Sequence, residues 1–176
     1  MPVRGQEVII GYIPAQLYVV LIGKVEKTQS AKGIDMIKLE AEIVAPDTAE
    51  YAGRQYKTAG AKGTMYCMLN GSQGVDAALS RLSVPLEKLG LMEQIPAGTN
   101  YGAAEIEALI KQLENTKVRM TVECQTEYVT DSQVRADAYD ISKAKRDPDN
   151  NNEPIVRRYS PRFDFGAIQG VHASSF

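Results

Sequence analysis

The chain has 176 residues, a mass of 19.3 kDa and a formal net charge of −2, with 44% hydrophobic and 24% charged residues. That is the balance of an ordinary folded domain, which excludes disorder as the dominant state and predicts one domain with at most a short appendage. Trp is absent, His occurs once and Cys twice, so most nucleophilic, zinc and redox chemistry is removed before any motif is sought.

The opening residues, MPVRGQE, lack a basic stretch followed by an apolar one, so no secretory leader is expected. The longest apolar run, 17–22 (LYVVLI), is too short to span a bilayer, which predicts a cytoplasmic protein without a membrane partner. Residues 17–27 (LYVVLIGKVEK) predict a strand with Leu17, Val19, Leu21 and Val25 on one face and Tyr18, Val20, Ile22 and Lys24 on the other. After a polar turn over 28–33, the run 36–44 (MIKLEAEIV) alternates cleanly. Ile37, Leu39, Ala41 and Ile43 point inward while Lys38, Glu40 and Glu42 point out, as in a hairpin with one wet face. A loop over 46–53 leads to a third extended region, 55–69, interrupted at 58–64 (TAGAKGT) by a bulge or loop within a long arm. Asn70-Gly71-Ser72 reads as a turn, and Cys67 and Cys124, inside apolar alternating runs, read as reduced core residues.

The period then changes. Val75, Ala78, Leu79 and Leu82 mark a helical face that Leu86 and Leu89 carry to a stop at Gly90, and Pro85 either kinks this helix or begins a second one capped by Ser83. Ile106, Leu109, Ile110 and Leu113 give 103–114 an amphipathic helix. Strand character returns at 117–125, with Val118, Met120, Val122 and Cys124 on one face and Lys117, Arg119 and Thr121 on the other. Extended pieces at 134–142 and 155–160 flank a loop over 147–154 (DPDNNNEP), and residues 166–176 read as a flexible C-terminal tail after a single domain over 1–165. This order predicts a mainly β chain with two helices (α+β). The favoured form is an OB-like five-stranded Greek-key barrel, with helices between strands 3 and 4 and an extra C-terminal extended segment. A generic α+β sheet with a two-helix insertion is the alternative.

No route to catalysis stands out. His172 lies in the expected tail, no CxxC or HxxxH spacing occurs, and neither GxxxxGK[ST] nor GxGxxG is present, so no cofactor or metal is expected. Glu40 and Glu42 share a strand face and could in principle hold magnesium for a nuclease, but no lysine follows an acid at the two-residue spacing of the common nuclease signature. A non-enzyme is expected.

Charge is distributed unevenly. Segments 24–38, 54–62 and 143–162 carry net charges of +2, +3 and +3, leaving −10 for the rest. Tyrosines accompany these cations, and cations with aromatic faces are what hold single-stranded nucleic acid. Tyr18 and Lys24 share a strand face. Arg54, Tyr56 and Lys57 cluster, with Lys62 and Tyr66 farther along, and Arg119 lies on a polar strand face. Arg135 and Tyr139 share another face, and Arg157, Arg158, Tyr159 and Arg162 form the densest group, where Phe163 and Phe165 read as cover for a sheet edge.

Several runs resemble bacteriophage single-stranded DNA-binding proteins: 14–33 (PAQLYVVLIGKVEKTQSAKG), 36–44 (MIKLEAEIV), 51–56 (YAGRQY), 78–82 (ALSRL) with 86–91 (LEKLGL), and 113–122 (LENTKVRMTV). The resemblance spans about 14–125 and implies an oligonucleotide-binding barrel that coats single-stranded DNA without sequence preference during phage replication or recombination, in the host cytoplasm. It also implies binding roles for Lys24, Lys32, Lys38, Arg54, Tyr56, Lys57, Lys62 and Tyr66; candidates beyond 125 rest on the clustering and strand faces of the residues alone. The end, His172-Ala-Ser-Ser-Phe176, has the terminal Phe of many such proteins without their acids, so a partner-recruiting acidic tail is not expected. The expected partner is single-stranded DNA. A homo-oligomer stays open, as do two alternatives: a phage structural or assembly protein built on a β-barrel, and a metal-dependent nuclease.

Overall fold

The computed structural model describes residues 8–9, 12–130, 145–147, 149 and 153–172, with side chains over 12–124, at 149 and over 160–172. In chain order come β1 (Val8–Ile9), β2 (Gln16–Gln29), β3 (Asp35–Ala45), β4 (Thr48–Tyr51), β5 (Arg54–Lys57) and β6 (Lys62–Met68). Then follow α1 (Val75–Lys88), α2 (Ala103–Lys111), β7 (Lys117–Thr130), β8 (Lys145–Asp147), β9 (Glu153–Arg162) and β10 (Ile168–Val171). The chain is mainly β with two helices. A seven-stranded antiparallel sheet in the order β6-β3-β2-β7-β9-β8, with β10 also paired to β7, curls into a nearly closed barrel. A small second sheet, β1-β5-β4, stands at the end of β3.

The β2–β3 hairpin follows from its sequence. Apolar side chains of β3 alternate inward at Ile37, Leu39, Ala41 and Ile43, all buried, and the turn closes where Ser30 Oγ accepts the Ile34 N–H at 3.1 Å. On β2 the inward set changes phase: Tyr18, Val20 and Ile22 are buried, and so is Val25. The ladder shows why. Ile22 pairs with Ala41 and Val25 with Leu39, so three steps on β2 match two on β3, a β-bulge at Gly23–Lys24. Val25 lies beyond the start of β7, and the end of α2 with the turn after it takes over its backbone: the Glu114 carboxylate accepts the Val25 N–H at 3.1 Å and Lys111 Nζ donates to the Val25 carbonyl at 2.7 Å. The bond from Val25, joined by one that Lys111 Nζ donates to Glu114 Oε1 at 3.1 Å, holds the Glu114 carboxyl below its ordinary range.

Tyr18 is therefore a core residue and not an interface residue. It is 1% exposed, and its hydroxyl donates to the Pro14 carbonyl at 2.6 Å. Burial, reinforced by Tyr12, pushes its phenol up to about 12. A raised value means that the stability tied to the neutral phenol is complete below the unfolded value near 10 and is lost as pH climbs toward the folded one. Tyr18→Phe should cost about 1 kcal/mol at neutral pH through the lost hydrogen bond. It should also flatten the alkaline fall in stability, as urea melts on either side of the unfolded tyrosine pKa would show.

The expected third strand, 55–69, is two elements. Thr58, fully buried, donates its hydroxyl to the Pro46 carbonyl at 2.6 Å and turns the chain, so β5 joins the small sheet and β6 joins the barrel. Helix α1 runs unbroken through Pro85, which is buried, and Ser83 Oγ bonds back to the Ser80 carbonyl instead of capping a new helix. Its buried face (Ala78, Leu79, Leu82 and Leu86) packs on α2, on β10 and on a 3-10 turn at Phe165–Ala167. Each of the three leucines contributes roughly 1.5–3 kcal/mol.

The chain after 153 pairs with its own barrel. β9 lies antiparallel to the outer half of β7, Glu123 to Thr130, while β10 pairs with residues 118–120. Residues 168–171, expected in a loose tail, are thus a strand, and Ile168 is fully buried. β6 and β9, the strands on either side of the remaining gap, share no ladder. Phe163, 7% exposed, turns one edge of its ring to Gly63 of β6, where a Cβ would stand 2.6 Å from Phe163 Cδ2 and 2.8 Å from Cε2. The expected cover over a sheet edge is this contact, with Phe165 buried beside it. The expected strand at 134–142 lies outside the described residues.

Candidate nucleic-acid interface

The wet face of the barrel collects side chains in rows set by strand register. One row runs Tyr66 (β6), Lys38 (β3), Glu26 (β2), and another runs Lys62 (β6), Glu42 (β3), Leu21 (β2), Lys117 (β7). Between them Glu40 stands opposite Thr64 and packs on Gly23 of the bulge. Tyr66 is 52% exposed, an open ring beside a lysine.

The bulge turns Lys24 to solvent, where it joins this face. Lys24 lies 3.2 Å and Lys38 4.0 Å from the Glu26 carboxylate, which holds the two ammonium groups in one neighbourhood. Lys32 extends the same end from the β2–β3 turn, while Lys27 is drawn to Glu107 of α2 at 3.7 Å. Lys24, Lys32, Lys38 and Tyr66 therefore converge on one end of the sheet. Lys62 is held at 3.6 Å by Glu42, so Glu42 has an ion-pair partner, and among the described residues no three His, Cys, Asp or Glu side chains gather as a metal would need.

Arg54, Tyr56 and Lys57 sit elsewhere, on β5 in the small sheet that follows the Ala45 end of β3, an end about 23 Å along the strand from Lys38 at ~3.3 Å per residue. Tyr56 is half-buried, its ring centroid 4.8 Å from that of Tyr12, and Tyr51 stands 6.3 Å from Tyr12 on the same cluster. Tyr51 is 57% exposed and was not among the expected residues. Its signal is the two-residue turn Ala52-Gly53, both at positive φ, which pairs Tyr51 with Arg54 across a tight hairpin.

Arg119 is exposed on β7, in register with Val19 and Gly170 and away from the Tyr66 end. Arg162 reaches Glu123 at 3.7 Å. Arg157, Arg158 and Tyr159 take backbone positions in β9 opposite Tyr128, Glu127 and Thr126, and their side chains lie outside the described residues, as do Arg135 and Tyr139 altogether. Beside Tyr66 a groove of about 370 Å³ opens between β6, α1 and residues 164–166, with Met68, Asn70, Arg81 and Phe165 among its walls. Arg81, which donates to Gln73 Oε1 at 3.1 Å, is a cation the sequence reading missed, because it lies on a helix far from any tyrosine in sequence.

No protein-family model matches the chain, and no curated protein matches it. Among the described residues, no helix is long and apolar enough to cross a membrane.

Proposed function

We propose that the chain is a non-catalytic, sequence-independent single-stranded DNA-binding protein of the oligonucleotide-binding barrel type, acting in phage DNA replication or recombination in the host cytoplasm. The observation that carries this reading is the exposed Tyr66 ring beside Lys38 and Lys24 on the wet face of a nearly closed barrel. Phosphates would lie along the lysines and a base would stack on the ring. The strand order β6-β3-β2-β7-β9, with β6 meeting β9 at Gly63 and the helices between β6 and β7, supports a five-stranded Greek-key barrel. The resemblance of 14–125 to phage single-strand binders supports it from the sequence side.

The test is fluorescence anisotropy of a labelled thymine oligomer and its duplex counterpart over a salt series. Binding of the single strand that weakens with salt is the expected result; no binding at low salt defeats the reading. Lys38→Gln should lower the salt slope by about 0.7, the loss of one phosphate contact on a single strand. Glu26→Gln, which frees both lysines from their shared carboxylate, should tighten binding.

A further inference from the structure

We infer that the outward face of β2 is a self-association surface that takes a second copy of this chain about a two-fold axis parallel to the strand. The wet face of an antiparallel sheet is ordinarily polar. Here it carries an apolar spine: Leu17 is 48% exposed, Val19 and Leu21 are partly exposed on the same face, and Val44 of β3 adds to it. The flanks of the spine differ in sign. In the row of Leu21, Lys117 stands on the β7 side and Glu42 on the β3 side. Arg119 adds a second cation one row back, beside Val19, where the β3 side is apolar at Ala45, and Glu40 lies one row ahead, against Gly23.

Rotation by half a turn about an axis along β2 keeps each row at its height and exchanges the flanks. Lys117 of each copy then meets Glu42 of the other, twice, with spine on spine between them. An axis across the strands would leave the flanks on their own sides and set cations against cations. A surface with an apolar centre and opposite charges to left and right is self-complementary about the first axis only, which is what an isologous interface requires. Lys117 makes no ion pair among the described residues, while Glu42 is shared with Lys62 at 3.6 Å. A barrel is convex, so apolar contact is confined to β2 and the long lysine and glutamate side chains bridge the flanks.

The experiment is sedimentation of the full chain at micromolar concentration without nucleic acid, with circular dichroism confirming that each variant is folded. The wild type should be a dimer. Lys117→Glu and Glu42→Lys should each weaken association about tenfold or more, because each creates two like-charge contacts in the homodimer. Mixed in equal amounts, the two variants should dimerise with each other, since every contact then joins opposite charges. Leu17→Gln, a conservative change at an exposed site, should weaken the dimer without any change of charge. The inference is overturned by a monomeric wild type, by a dimer indifferent to these variants, or by a mixture that stays monomeric. It is also overturned if the wild type is monomeric and Leu17→Gln and Lys117→Glu abolish thymine-oligomer binding, because the face then belongs to nucleic acid.

Discussion

Phe163→Ala should lower the unfolding free energy by about 3–5 kcal/mol, the range for removing a large aromatic side chain from a core. The effect should sit at the upper end because of where the ring lies. β6 and β9 share no ladder, and Phe163 sets the Cδ2–Cε2 edge of its ring against Gly63 across the gap between them. Gly63→Ala attacks the same contact from the other side: its new Cβ would stand 2.6 Å from Phe163 Cδ2 and 2.8 Å from Cε2, and the ring, being buried, has little room to withdraw. Overpacking of this kind costs about 1–3 kcal/mol. If the two residues act through one contact, the double variant will be more stable than the sum of the single losses predicts. Urea unfolding of the four proteins measures this directly, and strict additivity would show that the seam is held elsewhere.

Tyr66→Ala should weaken single-stranded DNA binding by about 1–3 kcal/mol, the value of one base stacked on an aromatic ring. That is roughly 5- to 150-fold in Kd at 1.4 kcal/mol per decade. Its ring is 52% exposed on the wet face of β6, so stability should change little. Tyr66→Phe should retain most of the affinity, because stacking needs the ring and not the hydroxyl. Tyr56→Ala is the contrast. Its ring is committed to Tyr12, so its loss should loosen the small sheet and affect binding less than Tyr66→Ala does. The anisotropy titration of the three variants ranks the two ends of the sheet. Equal losses at Tyr56 and Tyr66 would extend the interface over the whole length of β3.

Much of the fold was legible where one periodicity ran uninterrupted. The inward set of β3, the faces of both helices and the inward set of β7 stand where alternation and helical spacing put them, because each buries one side only. The misreadings occur where a local backbone event breaks the count. At Gly23–Lys24 the bulge shifts the phase of β2, so the face holding Tyr18, Val20 and Ile22 turns inward. Tyr18, grouped with Lys24 by simple alternation, is buried, while Lys24 itself reaches solvent. At Thr58 a buried hydroxyl bonded to a distant carbonyl divides one apparent strand between two sheets. Residues 168–171 (IQGV) are too few to show an alternation, and their strand depends on the open edge of β7. Of the candidate interface, the exposed Tyr66 and the lysines around Glu26 were visible as residue types. Their convergence was not, since it depends on the register between β6, β3 and β2.

The bulge in β2 also bears on how this chain could change length. Removing one residue from a strand normally turns every later side chain over, exposing the core set and burying the polar one. Here the strand already holds one residue more than its partner across the 22–25 interval. Deleting Lys24 would bring Val25 into step with Tyr18, Val20 and Ile22 and leave each core residue inside. What would go is the local bend that the extra residue gives β2. At this point in the chain, a one-residue deletion would alter curvature and spare the inside–outside pattern.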